Sequence, residues 1–483
     1  MNIYRFTLGL FFILFFINPN QLKAQNQRPN FIFFFIDDMG YRDLGCYGNE
    51  VVETPNIDNL AKTGTRFTRA YVPAAVCAPS RAAVLTGRHC LELGLWRASH
   101  DISPGTIIFP KLLSDAGYQS WHIGKWHMGS KKSKNAPVNL GFDIGFAGED
   151  SLNPGSFFWP YYKDTPNNKM QSVPDLRERG GKEGEYLTDR LTDEAIELIE
   201  ERDTTKPFYL NLWHYAVHAP LQAKEEKIKK YEKILKTQKK LPPRIDPVSK
   251  AKYPQETSSA KYLAMIESVD ESVGKLVDHL KSKGLYENTM IIFYSDNGAT
   301  PTATAKPFRG AKNSLYEGGI RVPAIFSWPG KIQSQVSDQR IWSLDIFKTV
   351  LDAANVPVPS EYKANEGMSL IPHLTKEQKV PNRMFYWYFP ESRDNWGARA
   401  STVILDEDDM KFHLFFSEEQ PELFDLKIDK AESKNLLSQM PEKALELENR
   451  LIKKMQPLYK TIPQPERSMH LVPIIEQKLK VKK

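Results

Sequence analysis

The sequence predicts an α/β fold, with a large, mostly parallel β-sheet sandwiched by helices and a smaller C-terminal α+β subdomain containing an antiparallel sheet. Three observations lead there. Apolar runs of the kind found in strands buried on both faces recur at residues 30–36, 119–123, 207–213 and 290–295. Helical patterns at 187–202 and 260–283 alternate with them, as in a parallel sheet covered on both sides. Past Pro357, Pro359, Pro372 and Pro381 the pattern becomes a series of short strand-like runs and one helix. The 483 residues, 41% apolar and 26% charged, are enough for a large core and exclude a disordered chain or a disulfide-stapled miniprotein.

Taken in order, Arg5 precedes an apolar run from Phe6 to Ile17, and a polar stretch then ends at Leu22-Lys23-Ala24. Residues 1–24 read as a secretory signal peptide, the alternative being an uncleaved anchor. Cleavage would leave 63 basic against 59 acidic side chains, a net +4 instead of the +6 of the whole chain. No later run could span a bilayer, so the mature protein is expected to be secreted or periplasmic, with no integral membrane span. No basic block resembles a nucleic-acid arm, so no nucleic-acid partner is expected.

The run Asn30–Ile36 stops at Asp37-Asp38, placing carboxylates at a strand's carboxyl end. Short helices follow at Thr54–Thr63 and Pro110–Ala116, each with a proline in its first turn. Residues 224–252 carry ten lysines and Arg244, an exposed helical excursion whose charge suits either a solvated face or a basic flap over an anionic substrate. Asp345–Ala354 reads as a helix. The catalytic domain is expected over 25–380 and the C-terminal subdomain over 381–470, with strands at 384–389, 401–405 and 411–416 and a helix at 441–455. Residues 471–483 form a basic tail.

Chemistry concentrates at strand ends, where open α/β sheets bind ligands. Asp37, Asp38, Asp296 and Asn297 offer four hard oxygen donors, which suit calcium, or magnesium, better than zinc; isolated acidic pairs also serve as helix caps or solvated turns. Cys77 precedes Pro79, so it should stand at the positive N-terminal end of a helix, where a nucleophile is favoured. Lys125 and His127 are two apart and, in an extended segment, would share one face. His218 follows an apolar strand, and Lys312 lies in a loop beside Gly310. His214 reads as a packing histidine. The chain has only Cys46, Cys77 and Cys90, and the sequence leaves open whether Cys46 and Cys90 pair.

The segment Cys77-Ala78-Pro79-Ser80-Arg81, continuing to Leu85-Thr86-Gly87-Arg88, resembles the CxPSR…TGR motif of the sulfatase family of the alkaline-phosphatase superfamily. NFIFFFIDDMG, TPNIDNLA, GKWHMG, HAP at 218–220, SDNG at 295–298, RGAKNSLYEGGIRVP at 309–323 and ELFDLKIDKAESKNL at 422–436 extend the resemblance over most of the chain. It implies that Cys77 is oxidised to formylglycine (3-oxoalanine) by a formylglycine-generating enzyme. It also implies that Asp37, Asp38, Asp296, Asn297 and residue 77 bind one divalent cation, usually calcium. Hydrated residue 77 would attack sulfur with help from Asp296 and Arg81, while Lys125 and Lys312 hold the sulfate. His218 with Lys312 would protonate the leaving oxygen, and His127 would release sulfate by deprotonating the second hydroxyl. The expected substrate is a sulfated carbohydrate. A phosphate mono- or diesterase of the same superfamily and a non-catalytic binder of sulfated glycans are the alternatives. Trp96, Trp159, Trp396, His100, Arg309 and Arg393 are candidate contacts to the leaving group, with core packing the other use of the tryptophans.

Overall fold

The computed structural model describes residues 28–97, 101–129, 133–148, 153–163, 171–360, 366–376, 378–393, 396–417 and 419–458. The expected signal peptide, His100 and the basic tail lie outside the described residues. The main sheet has eight strands: β1 (Asn30–Ile36), β2 (Thr65–Tyr71), β3 (Gln119–Gly124), β4 (Ile144–Phe146), β5 (Phe208–Trp213), β6 (Thr289–Ser295), β7 (Arg321–Ser327) and β8 (Gln335–Trp342). Their spatial order is β8-β2-β7-β6-β1-β5-β3-β4, and β7 alone runs against the rest. The sheet is therefore mostly parallel, as the sequence predicts.

The apolar continuity of β1 has a simple cause. Phe31, Phe33 and Phe35 enter the core on one face, and Ile32, Phe34 and Ile36 enter the core on the other. Each such burial stabilises by roughly 1.5–3 kcal/mol, so neither face tolerates a polar residue. Helices α1 (Pro55–Thr63), α4 (Leu187–Glu201) and α6 (Ala260–Ser282) cover the second face. Helices α2 (Cys77–Thr86), α3 (Phe109–Asp115) and α7 (Asp345–Ala353) cover the first.

The same first-face core continues into a four-stranded antiparallel sheet, β9 (Phe385–Phe389), β10 (Ser401–Leu405), β11 (Met410–Phe415) and β12 (Glu422–Asp425), backed by α8 (Pro441–Met455). Trp342 at the end of β8 stacks on Phe385 with ring centroids 4.3 Å apart, so the two sheets share one apolar core.

The lysine-rich excursion contains α5 (Glu225–Thr237) and a hairpin pairing Arg244–Ile245 with Lys252–Tyr253. Lys227 is buried beside Glu267 and Glu271 of α6, and Lys230 bridges Glu53 and Glu267. This side of α5 is thus bound to the scaffold by ion pairs and is not a free basic flap. Within the hairpin, Asp246 pairs with Arg309 at 2.6 Å, and Tyr253 packs with Ala311. The excursion therefore buttresses the loop that carries Lys312.

Candidate active site

Register alone brings the two acidic pairs together. In the parallel β1–β6 pairing, Ile36 lies opposite Ser295, so the next residues, Asp37-Asp38 and Asp296-Asn297, leave adjacent strands side by side. The Asp38 amide donates to Asp296 Oδ1 at 3.1 Å, and Asn297 Nδ2 donates to Asp38 Oδ1 at 2.8 Å. Asp38 has φ 62°, a left-handed backbone in which a non-glycine residue is strained. Two further site residues, His127 (φ 58°) and Asn313 (φ 69°), share that conformation. Asp43, which accepts from the Gly40 amide and Tyr262 Oη, holds the turn after Asp38.

Cys77 is the first residue of α2, with Val76 extended at the N-cap. One turn on, Arg81 is fully buried; its guanidinium donates to Asp296 Oδ2 at 2.6 and 3.1 Å and to the Lys125 carbonyl at 3.1 Å. The rings of Phe35 and Trp213 lie 5.3 and 5.2 Å from its carbon centre, replacing water around the cation. Lys125 Nζ meets Asp37 Oδ2 at 2.5 Å, Lys312 Nζ meets Asp38 Oδ1 at 2.6 Å, and His218 Nε2 is 3.6 Å from Asp38 Oδ2. The ligand atoms of Asp37, Cys77 and Asp296 lie within 4.8 Å of one another, as do those of Asp37, Asp38 and His218. All six expected catalytic residues and all the expected metal ligands thus meet at one sheet end.

Lys125 and His127 reach the site by another route than strand alternation. β3 ends at Gly124, and His127 is left-handed, so the extended-segment expectation fails. A tight turn aims them. Gly124 has φ 101°, and a Cβ there would lie 2.0 Å from the Trp213 carbonyl, which instead accepts the Lys125 amide at 2.8 Å.

The donor set fits a hard divalent cation. Among the described residues, Asp37 Oδ1, Asp38 Oδ2 and Asn297 Oδ1 are buried without a hydrogen-bond partner, and carboxylate oxygens of Asp37 and Asp296 lie within 4.8 Å of one another, as do those of Asp37 and Asp38. Burial pushes the Asp37 carboxyl well above the usual range; Lys125 opposes this only in part, and Asp296 and Asp38 add to it. Asp38 moves the other way: against the upward push of burial, Lys312, His218 and Lys125 hold it below its ordinary value. A cation among these oxygens would favour the charged form of both.

Burial, then Lys125, Arg81 and Lys312, hold His127 well below its ordinary value, which favours a neutral ring, and among the described residues neither ring nitrogen has a hydrogen-bond partner. Burial and Lys312 likewise lower His218 to about 3. An anion bound between Lys125 and Lys312 would offset the repulsion and let His218 carry a proton.

These groups open on a cavity of about 280 Å³ lined by Cys77, His127, His218, Lys312 and Asn313 together with Arg97, Asn153, Glu391, Arg393 and Trp396. Arg97, Asn153 and Glu391 carry no sequence signal of their own, whereas Asn313 lies beside Lys312 in the segment 309–323. Arg309 does not reach the cavity. It is buried between Asp246 and Glu422 and lies 3.9 Å from the Tyr316 ring centroid, correcting its reading as a leaving-group contact. Trp96 is buried in the core and Trp159 packs on Tyr161; of the three tryptophans considered, Trp396 lines the cavity. His214 is buried, with Nε2 2.9 Å from Ser272 Oγ, as a packing histidine should be. None of the three cysteines is in a disulfide, so Cys46 and Cys90 do not pair.

Gly298 sets the spacing between the Asp296-Asn297 turn and the segment after the Lys312 loop, its amide donating to the Gly319 carbonyl at 2.9 Å. A Cβ there would lie 2.0 Å from the Gly318 carbonyl oxygen, a backbone atom with nowhere to go. Gly298→Ala is therefore expected to destabilise the protein by about 1–3 kcal/mol and to lower activity by separating Asn297 from Lys312. Thermal unfolding and turnover measured on the same preparation check both effects.

Oxygen donors, three buried basic side chains and a cysteine at a helix N-terminus, all at the end of a mostly parallel sheet, suit a hydrolase for esters of tetrahedral oxyanions with the fold of the alkaline-phosphatase superfamily. The Sulfatase family model matches residues 29–356, and a model described as N-sulphoglucosamine sulphohydrolase, C-terminal, matches 310–461. The chain belongs to the sulfatase family and is a sulfuric ester hydrolase. It is 32% identical over 391 residues to N-acetylgalactosamine-6-sulfatase of Mus musculus, covering 75% of this chain and 69% of that protein. It is 30% identical over 513 residues to a sulfatase of Formosa agariphila, covering 89% of each. Among solved structures, Ps i-CgsB in complex with k-i-k-neocarrahexaose superposes with a TM-score of 0.72 at 27% identity, covering 91% of this chain and 94% of that one.

Proposed function

We propose that the protein is an exported enzyme that hydrolyses sulfate monoesters on carbohydrates, using Cys77 converted to formylglycine. The observation that carries this is the position of Cys77: at a helix N-terminus, within 4.8 Å of Asp37 and Asp296, and on the cavity that His127, His218 and Lys312 line. Curated relatives named for N-acetylgalactosamine-6-sulfate and for N-acetylglucosamine-6-O-sulfate, at 32% and 27% identity, support a sulfated sugar as substrate. The apolar N-terminal run supports export, to the periplasm or beyond.

In this reading Arg81 and Asp296 hold the nucleophilic oxygen of residue 77, and Asp296 accepts its proton. Lys125 and Lys312 exchange part of their carboxylate contacts for the sulfate oxygens, supplying positive charge where it develops in the transition state. Because both lysines are buried, little water competes for that charge. His218, charged by the bound sulfate, gives its proton to the departing sugar oxygen with Lys312 beside it. Neutral His127 then takes a proton from residue 77 so that sulfate leaves. A divalent cation held by Asp37, Asp38, Asp296, Asn297 and residue 77 would polarise the nucleophile and neutralise part of the sulfate's charge.

Lys125→Ala, His127→Ala and His218→Ala should each lower kcat/KM by about 10²- to 10⁴-fold on sulfated monosaccharides, read as free sulfate released. Unchanged efficiency in any one removes that residue from the mechanism. Phosphate release from the matching sugar phosphates at the same rate by unmodified Cys77 protein would favour a phosphoesterase.

A further inference from the structure

The scaffold uses only part of the charge in the lysine-rich excursion. Lys224 pairs with Asp189 at 2.7 Å, Lys227 with Glu267 at 2.8 Å, and Lys230 with Glu53 and Glu267 at 2.8 and 2.9 Å. Lys236 in the last turn of α5, Lys239 and Lys240 just beyond it, and Lys261 in the first turn of α6 are different. All four are exposed, and among the described residues their ammonium groups make no ion pair or hydrogen bond. They line a cleft of about 1030 Å³ formed by the end of α5, residues 238–243 and residues 254–261. The acids among its lining residues are Glu232 and Glu256, and Glu256 is already bridged by Arg42 and Lys306 at 3.3 and 3.2 Å. The cleft is therefore positive. Like charges gathered without counter-charges repel one another, a cost that a bound polyanion removes.

We propose that this cleft is a second, non-catalytic binding site for a sulfated polysaccharide, holding one stretch of the chain by its sulfates while the enzyme works on another. Its volume is several times the 280 Å³ of the catalytic cavity and at the upper end of ligand sites, room for a run of sugars. Flexible lysines suit sulfates at irregular spacing, and Gln238 and Ser258 add neutral donors for hydroxyls. No aromatic residue is among the lining residues, so the cleft offers bases no platform to stack on, which disfavours a nucleic acid. The cleft is also tied to the active site. Thr257 Oγ1 accepts the Thr304 amide at 3.1 Å and Thr304 Oγ1 donates to the Gln255 carbonyl at 3.0 Å, shortly before the loop that carries Lys312. Tyr253, next to Pro254 of the cleft, donates through Oη to the carbonyl of Trp396, which lines the catalytic cavity, at 2.9 Å. A chain retained there raises the local concentration of sulfate esters around Cys77.

The inference rests on the carbohydrate reading above, and the test separates the two. Matured enzyme and a Lys236→Glu/Lys239→Glu/Lys240→Glu variant are titrated with fluorescently labelled dextran sulfate at physiological ionic strength. Both are also assayed on 4-nitrophenyl sulfate and on sulfated monosaccharides, small esters that need the catalytic cavity alone. The three side chains are exposed, so the variant should keep the parent's rate on the small esters, which reports folding and maturation. Its Kd for dextran sulfate should rise roughly tenfold, and uncharged dextran should bind neither protein. An unchanged Kd overturns the cleft while leaving the carbohydrate reading standing. If polyglutamate and duplex DNA bind as tightly as dextran sulfate and are lost equally in the variant, the surface takes any polyanion and the assignment to a sulfated glycan is overturned. Turnover of 4-nitrophenyl sulfate with none of any sugar sulfate overturns the carbohydrate reading and, with it, the role of the cleft.

Discussion

Cys77→Ala protein releases no sulfate from any ester, and Cys77→Ser releases almost none unless the host converts serine as well as cysteine. This is the expected result if residue 77 works as a hydrated aldehyde. A serine hydroxyl in the same place could accept a sulfuryl group once. The resulting sulfate ester would have no second hydroxyl through which to expel it, so turnover would stop at one event per molecule. The neighbours are consistent with this division of labour. Neutral His127, with no hydrogen-bond partner on either ring nitrogen among the described residues, is suited to take a proton from a second hydroxyl, and no such group exists on serine. The other two thiols cannot substitute: burial pushes Cys90 up to about 12 and Cys46 higher still, which keeps both protonated. Neither the Ala nor the Ser variant removes a packing group larger than a sulfur, so thermal unfolding should change by only a few degrees. The decisive measurement pairs free-sulfate release with a peptide map of position 77 in natively produced enzyme. An intact thiol in fully active protein would overturn the assignment.

How much of this site was legible in the sequence depended on whether a residue's role is set locally. The acidic pairs could be read because a strand buried on both faces must end abruptly when charge appears, and Asp37 and Asp296 mark two such ends. Cys77 could be read because Pro79 fixes a helix start. Five strands of the two sheets were not recognised: β4 and β12 are only three and four residues long, and the other three have identifiable reasons. β2 carries Arg66 and Arg69, whose charges are absorbed by contacts far along the chain: Arg66 lies over the Tyr47 ring and Arg69 pairs with Asp409. β7 contains Pro323, which central strands rarely tolerate, but it sits where the pairing with β2 shifts register between Val322 and Ala324, so no ladder donor is missed there. β8 is an edge strand, polar where its outer side meets solvent. Arg309 failed differently. Its motif is shared with the family, but its partners Asp246 and Glu422 come from an excursion and from the second sheet, which only the folded chain brings together. The rim formed by Arg97 and Glu391 was hidden for the same reason, since an ion pair across 294 positions leaves no local pattern.

Removing divalent cations is the other perturbation expected to have a large effect, and it should act on stability as well as on rate. Asp37, Asp38 and Asp296 are wholly or almost wholly excluded from water, with accessibilities of 0%, 1% and 0%. Arg81, Lys125 and Lys312 neutralise three charges at the cost of occupying one oxygen of each carboxylate, and among the described residues the remaining oxygens of Asp37 and Asp38 accept no hydrogen bond, with Arg81 and His218 no nearer than 3.7 and 3.6 Å. An unpaired buried carboxylate oxygen costs free energy that a cation recovers on binding. The native state alone assembles this donor set, because its members lie on strand ends more than 250 residues apart. Binding therefore stabilises by mass action, about 2.7 kcal/mol at a free-ion concentration 100 times Kd. Chelator-treated protein should unfold several degrees lower and lose sulfate release, and both should return together on adding calcium. An all-oxygen set that includes flexible carboxylates favours calcium over the stricter octahedral demands of magnesium, so calcium should raise the unfolding temperature at lower concentration. Asp38→Asn should weaken the calcium response without abolishing folding, since it keeps the shape of the side chain and removes one charge. If exhaustive chelation leaves both melting and turnover unchanged, and neither ion alters them on return, these oxygens serve the buried lysines and arginine alone.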